Sequence, residues 1–366
     1  MKVVHIIDSL SAGGSESMAV NIVNGLINKK VNVDLIVTRK SGKLESRINN
    51  NVNVYKLNKQ SSIDLFSFIK LVKLLNKNKY NIIHAHSSSI LWIILSKYFI
   101  NSCIIIWHVH YGNSWTLSDF ITKMYKFCAS RCDLIFVVND ELNNWVCNKL
   151  KIHKNRIITI NNFVSESVIE RVEEMEQMNF TNTINVVCVA NLRPEKDILN
   201  LLNAFLLLAE KVPNVNLHLL GNNNKDSYSN IVLGNINSHK YRNRIFYWGA
   251  KNNINSWLRY MDIGVIPSKS EGLPVAILEY GQAGLRVVST NVGQIPKVLE
   301  YGKFGILVEP ENNIQLANGI NDLIGNFKNE PKYSFKVHIE NHYSEVIVME
   351  ELYNIYNNLM ANCVQC

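Results

Sequence analysis

Residues 262–290 read DIGVIPSKSEGLPVAILEYGQAGLRVVST. The stretch opens on one short apolar run, DIGVIP, and closes on another, LRVVST, with a polar loop and a helical pattern between them. Pro274 suits the first turn of that helix, where its missing N–H costs nothing. Gly284 suits the turn that follows it. Two nearly all-apolar strands joined through a helix imply parallel neighbours in a sheet covered on both faces. The two acids in the unit, Glu271 and Glu279, then have two readings. They either flank an ordinary helix, or they belong to a ligand site at a strand's carboxyl end.

The same alternation runs along the whole chain. KVVHIID, VNVDLIV, NVYKL, NIIHAH, CIIIWHV, DLIFVVN and RIITI form a first series of strand candidates. INVVCVA, VNLHLL, RIFYWGA, DIGVIP, LRVVST and FGILVE form a second. Amphipathic stretches such as SESMAVNIVNGLINK and ILNLLNAFLLLAEKV lie between most of them. A chain of 366 residues is long for one core, and the pattern occurs twice, so two doubly wound α/β domains are expected. The acidic segment 165–183 separates the series, giving domains over 1–164 and 183–337. The remainder, 338–366, carries a last helical pattern at 344–360 that is a candidate to pack back across the domain interface.

Composition excludes several classes. With 47% hydrophobic and 19% charged residues and seven prolines, the chain is neither disordered nor fibrous. The seven cysteines form no metal-ligand spacing, and their odd number suits a reducing cytoplasm. MKVVHIIDSL enters a strand directly, so no secretory leader is expected. The longest apolar stretch, 89–107, is broken by Lys97, Asn101 and Ser102 and reads as a buried helix and strand rather than a membrane span. Residues 1–180 hold 22 Lys/Arg against 14 Asp/Glu, whereas 181–366 hold 16 of each. The whole excess of +8 therefore lies in the first half. This is either a plain solvated face or a surface for an anionic partner or membrane.

Chemistry-bearing residues gather at the strand ends. The first strand runs into Gly13-Gly14, where the backbone can approach an anion at a helix N-terminus, or where Ser15 caps an ordinary turn. Histidines close two neighbouring strands, in HAHSSS (84–89) and WHVHYGN (107–113). Histidine is a poor choice inside an apolar strand unless its ring nitrogens are paired. Two HxH patterns raise the question of a metal, but no carboxylate is placed to complete a ligand set, and no metal is expected. In the second half VVCVANLRPEKD brings Arg193 and Lys196 to a strand end, as suits a diphosphate. Gly221 turns the chain after the next strand, and Gly293 closes a later one.

In this order the glycine loop, the histidine-bearing strand end, the Arg/Lys loop, the glycine turn and PSxxEGxPxxxxE resemble a retaining glycosyltransferase of family 4. The resemblance covers nearly the whole chain. It implies the GT-B architecture, two Rossmann-like domains facing across a cleft, with acceptor bound by the first and a nucleotide-diphospho sugar by the second. It also implies roles. Glu271 would accept hydroxyls of the donor sugar, and the amides of Gly272 and Leu273 would lie near the diphosphate. Glu279 would hold the ribose. Arg193 and Lys196 would neutralise the leaving group in place of a metal, the sequence having no Asp-x-Asp. His110, with His108 as alternative, would contact the sugar near the reacting carbon. Gly13, Gly14 and Gly221 would border the donor.

No acid stands out at the first domain's strand ends as a nucleophile, so same-face attack is the expected route. Three departures from the family pattern, Asn191, Gln294 and Lys297, fall on the donor side. The expected activity is transfer from a UDP- or GDP-sugar to a lipid-linked or growing cell-surface saccharide. The competing expectations are a GT-B nucleotide-sugar epimerase and a non-catalytic nucleotide-sugar binder. No nucleic acid partner is expected. The cytoplasm is the expected location, with peripheral attachment to an anionic membrane surface motivated by the basic first half and the apolar helix 90–99.

Overall fold

The computed structural model describes residues 1–11, 13–61, 63–110, 117–165, 169–178, 182–325 and 333–364. Every expected strand forms. The first unit carries β1 (Lys2–Ser9), β2 (Asn32–Lys40), β3 (Asn53–Lys56), β4 (Ile82–His86), β5 (Ile104–Val109), β6 (Leu134–Val137) and β7 (Ile157–Thr159). The second carries β8 (Ile184–Val189), β9 (Val215–Leu220), β10 (Ile245–Gly249), β11 (Ile263–Ile266), β12 (Arg286–Thr290) and β13 (Ile306–Val308). The sheets run in the orders β3-β2-β1-β4-β5-β6-β7 and β10-β9-β8-β11-β12-β13. The pairings within them are parallel.

Each order reverses once, between β1 and β4 and between β8 and β11. Connections leave toward opposite faces on either side of such a reversal, which opens a crevice at the strands' carboxyl ends. The sequences explain the burial. β4, β5, β6 and β9 are buried along their entire length, as strands sandwiched between helical layers must be. Several helices start where a short polar side chain closes the first turn. Asn139 Oδ1 accepts from the Leu142 amide at 2.7 Å, and Asp226 Oδ1 accepts from that of Ser229 at 2.8 Å.

The chain divides into two compact units, Met1–Phe163 with Glu345–Cys366, and Val164–Ser344. Two helices make up the tail. Tyr333–Tyr343 belongs to the second unit, where Phe335 and Ile339 enter the core beside Gly281. Glu345–Val364 belongs to the first. Ser344 divides them by bridging to Val164.

In the first unit the last helix lies beside the helix Gly14–Asn28. Met349 fills the space left by the absent side chain of Gly25, and Glu350 pairs with Lys29. Leu352 and Tyr356 are fully buried. Replacing Leu352 by Ala should therefore destabilise the first unit by about 2–5 kcal/mol, read as a lowered urea midpoint. A change within error would mean that this helix is not part of the unit's core.

Candidate functional site

In the second unit the polar side chains converge at the β8/β11 reversal. The loop after β8 carries Asn191, Arg193 and Lys196, and the loop after β11 carries Ser268, Glu271 and Gly272. The Lys269 amide ties the two together by donating to the Glu195 carbonyl at 2.9 Å. Lys196 Nζ lies 2.6 and 2.7 Å from the two oxygens of Glu271, and Ser268 Oγ donates to Oε1 at 2.6 Å. The Glu271 side chain is 7% exposed and that of Lys196 25%, so the cation keeps an open side while the carboxylate is held. A carboxylate has roughly four acceptor positions, which leaves Glu271 capacity for hydroxyl donors. Arg193 stands at the same strand end but apart from this pair, 52% exposed and 3.9 Å from Glu195.

Two glycines are required by close approach. Gly293 has φ +57, and a Cβ there would sit 2.3 Å from the Glu271 carbonyl oxygen. The next amide, Gln294, donates to the Gly272 carbonyl at 2.9 Å, so the turn after β12 clamps the Glu271-Gly272 loop. At Gly221 a Cβ would lie 1.9 Å from the Ala190 carbonyl oxygen. The helix Val275–Ala283 starts one residue later than the sequence suggests. Pro274 is its N-cap, with ψ 131 and no side-chain cap. The first amides of that helix are thus not bound by a cap, at the positive end of its dipole. Leu273 is buried below it, and Glu279 lies half-buried on the helix itself.

Among the departures, Asn191 Oδ1 accepts from the Asn222 amide at 2.8 Å and so joins the β8 loop to the Gly221 turn. Gln294 is buried and Lys297 is exposed.

In the first unit Gly13 is the N-cap of Gly14–Asn28 in an extended conformation. Ser15 does not cap that helix. It lies within the first turn and donates instead to Glu16 Oε2 at 2.7 Å, while the Glu16 carboxylate folds over Gly13. One acid does stand at these strand ends, although its carboxylate is already engaged. Asp8 is the last residue but one of β1 and accepts from Thr38 Oγ1 and Ser88 Oγ, each at 2.5 Å.

The histidines of β4 and β5 are joined by His5 of β1. His5 is the register partner of His84, and His86 that of His108. All lie on one face of the sheet. His110 Nε2 meets His86 Nδ1 at 3.0 Å, His86 Nε2 meets His5 Nδ1 at 2.9 Å, and His84 Nε2 meets His108 Nδ1 at 3.2 Å. Tyr356 Oη stands between the two groups, 2.5 Å from His84 Nδ1 and 3.4 Å from His5 Nε2. Burial pushes the imidazoles of His5 and His110 down to about 3 and those of His84, His86 and His108 well below the usual range. All five rings are therefore neutral, and the pairing anticipated for histidine in an apolar strand is realised inside the sheet.

The family description "Glycosyltransferase Family 4" matches residues 12–168, and "Glycosyl transferases group 1" matches residues 183–326. The chain belongs to the family 4, group 1 glycosyltransferases. It is 25% identical over 86% of its length to an uncharacterized glycosyltransferase of Haemophilus influenzae, covering 88% of that protein. It is 24% identical to an Escherichia coli UDP-Gal:alpha-D-GlcNAc-diphosphoundecaprenol alpha-1,3-galactosyltransferase, over 84% of each chain. Anabaena HepE, solved with UDP-glucose, has the same GT-B fold with a TM-score of 0.85 at 17% identity, over 98% of this chain and 100% of that one.

In this glycosyltransferase the residues read from the sequence separate into two groups by unit. Lys196, Glu271, Gly272, Leu273, Gly221 and Glu279 lie around one set of strand ends, with Arg193 beside them. Gly13, Gly14, His108 and His110 lie in the other unit. His5, Asp8 and Tyr356 were missed. A single histidine or aspartate in a strand carries no spacing signal, and Tyr356 comes from a helix far along the chain. A pH dependence follows from the buried rings. Below about pH 6.5 the unfolded chain protonates them, whereas in the folded chain burial keeps His5 and His110 neutral to about 3 and holds His84, His86 and His108 well below the usual range. The unfolded state binds more protons in that window, so stability falls with pH by up to about 1.4 kcal/mol per unit for each ring. The melting temperature should drop steeply on titration from neutrality toward pH 5, with more than one proton taken up per unfolding event. A one-proton slope would contradict the burial of the cluster.

Proposed function

We propose that this glycosyltransferase moves a hexose from a UDP-sugar to a lipid-linked or growing cell-surface saccharide, with retention and without a metal. The observation that carries the reading is the Lys196–Glu271 pair at the β8/β11 strand ends, beside a helix whose first turn has no side-chain cap. Sugar transfer breaks the bond from the anomeric carbon to a phosphate oxygen and forms one to the acceptor oxygen. Negative charge grows on the departing diphosphate, where Lys196, Arg193 and the amides after Gly272 are suited to stabilise it. Glu271, fixed by Lys196 and Ser268, accepts hydroxyls of the sugar. Glu279 holds the ribose, and His110 serves as a neutral hydrogen-bonding partner of the sugar. Gly13, Gly14 and Gly221 border the donor.

The sequence has no Asp-x-Asp for a divalent ion, and two cations at one strand end supply the charge that such an ion would bring. In same-face attack the departing phosphate oxygen takes the proton of the acceptor hydroxyl. Both oxygens of Asp8, the acid nearest in kind to a nucleophile, already accept hydroxyls of Thr38 and Ser88. A UDP donor and a lipid-diphosphate acceptor are supported by the names of the E. coli relative and the UDP-glucose complex of HepE.

A thermal-shift screen of UDP- and GDP-sugars should raise the melting temperature with a UDP-sugar, as a ligand bound only by the folded state must. Transfer should survive EDTA, yield the α-product by NMR from an α-linked donor, and fall by at least about 10²-fold in Glu271→Ala or Lys196→Ala. Loss of activity in EDTA, or an inverted product, would overturn the mechanism.

The membrane part of the reading extends to a second helix. Ile90, Trp92, Ile93 and Ile94 of the apolar stretch 90–99 are buried in the core, whereas Leu95, Tyr98 and Phe99 at its end are exposed. Among the described residues no helix is long and apolar enough to cross a membrane. On the helix Leu65–Asn78, however, Phe66, Ile69, Lys70, Lys73 and Lys77 are exposed at helical spacing, with Ile63 and Leu65 exposed at its start. An apolar tip followed by a row of lysines on one face is the pattern of a helix lying at an anionic lipid surface. The protein should sediment with vesicles containing anionic lipid, and Phe66→Glu with Ile69→Glu should release it. Sedimentation independent of both lipid charge and these residues would refute the docking face.

A further inference from the structure

Each neutral imidazole has one N–H and one lone pair, and a phenol has one O–H and can accept. The contacts His110–His86, His86–His5, His5–Tyr356, Tyr356–His84 and His84–His108 use every ring nitrogen once, except the two ends. One end is His108 Nε2, buried and without a partner among the described residues. The other is Nδ1 of His110, at the carboxyl end of β5. Along such a line each contact can hold only one hydrogen. If one ring turns its proton around, a neighbouring contact has either two hydrogens or none. Two arrangements satisfy all five contacts: every histidine protonated on Nδ1, or every histidine protonated on Nε2.

We infer that His5, His84, His86, His108 and Tyr356 form one cooperative tautomer line that positions His110 and decides whether its outer nitrogen donates or accepts a hydrogen bond. Tyr356 is the joint of the line, because it is the sole member that comes from outside the strands and their loops. The helix Glu345–Val364 thereby acts on a strand end to which its sequence is remote. The four inner histidines and Tyr356 are positioning residues. The consequence for transfer rests on the role proposed for His110, whereas the line itself does not.

A metal is the competing occupant of so many imidazoles. His5, His84 and His86, and likewise His86, His108 and His110, bring three nitrogens within 4.8 Å of one another. The rings of each HxH pair are stacked, however, His84 on His86 at 4.6 Å and 8°, and His108 on His110 at 4.0 Å and 27°. Stacked rings send their in-plane lone pairs side by side. A zinc ion needs them to converge on one point about 2.0–2.1 Å away.

Nitrogen-15 NMR of histidine-labelled, full-length protein reads the protonated nitrogen of each ring directly. The expected result is one shared tautomer in all five histidines near neutral pH, and mixed tautomers in Tyr356→Phe, which divides the line into His110–His86–His5 and His84–His108. The same variant should retain its fold, checked by its circular dichroism, and lose about 10–100-fold in kcat/KM, as when partners that orient a functional histidine are removed. His110→Ala serves as the separate control for the role of His110. If it transfers sugar normally, that role fails while the NMR result still judges the line. Mixed tautomers in the unaltered protein would overturn the inference. So would stoichiometric zinc in the purified protein, or Zn²⁺ added alone moving these resonances to metal-bound positions.

Discussion

A parallel strand covered on both faces tolerates a polar side chain in only two ways. The group is paired inside the sheet, or it is carried to the carboxyl end where the layers part. Both solutions are present. In the second unit the strand cores are apolar near the reversal, and Lys196, Ser268 and Glu271 lie just past the strand ends. In the first unit five histidines share one face of three neighbouring strands, and the inner rings are paired by their neighbours and by Tyr356, save for Nε2 of His108 at one end. The two arrangements have different electrostatics. The Lys–Glu pair leaves its cation an open side, whereas burial keeps the histidines neutral.

The loops of the candidate donor site are held more by backbone than by side chains. Lys269 N to Glu195 O joins the β8 and β11 loops, and Gln294 N to Gly272 O joins the β11 and β12 loops. The absent side chains of Gly221 and Gly293 allow the approach. This arrangement leaves the side chains at the strand ends available to a ligand. It also explains how Asn191 is accommodated where the family's pattern differs. Its amide oxygen takes a backbone N–H of the Gly221 turn, a structural part that does not require the usual residue.

Most of the architecture was open to reading because helical and strand periodicities differ so sharply. Thirteen apolar runs alternating with amphipathic stretches give thirteen strands among the described residues, and the spacing of Glu271 and Glu279 with the proline and glycines between and after them marks the loop after β11. What failed were statements about single residues at element ends. Ser15 lies two places and Pro274 one place from the position assigned to it, because the start of a helix depends on the geometry of the preceding loop. Asp8 was overlooked because nothing in its neighbours distinguishes an acid at a strand's end from one in a turn.

The sequence by itself determined two doubly wound α/β units, the family, and the loops that carry Lys196 and Glu271. These follow from periodicity and from spacings within one loop or helix, which are local. Tertiary structure alone decided that His5 joins His84 and His86, that His110 is neutral, and that Tyr356 completes the line across 272 positions from His84. Those facts depend on strand register and on which helix covers the face. Register and coverage arise from packing between segments far apart in the chain, which no local pattern records.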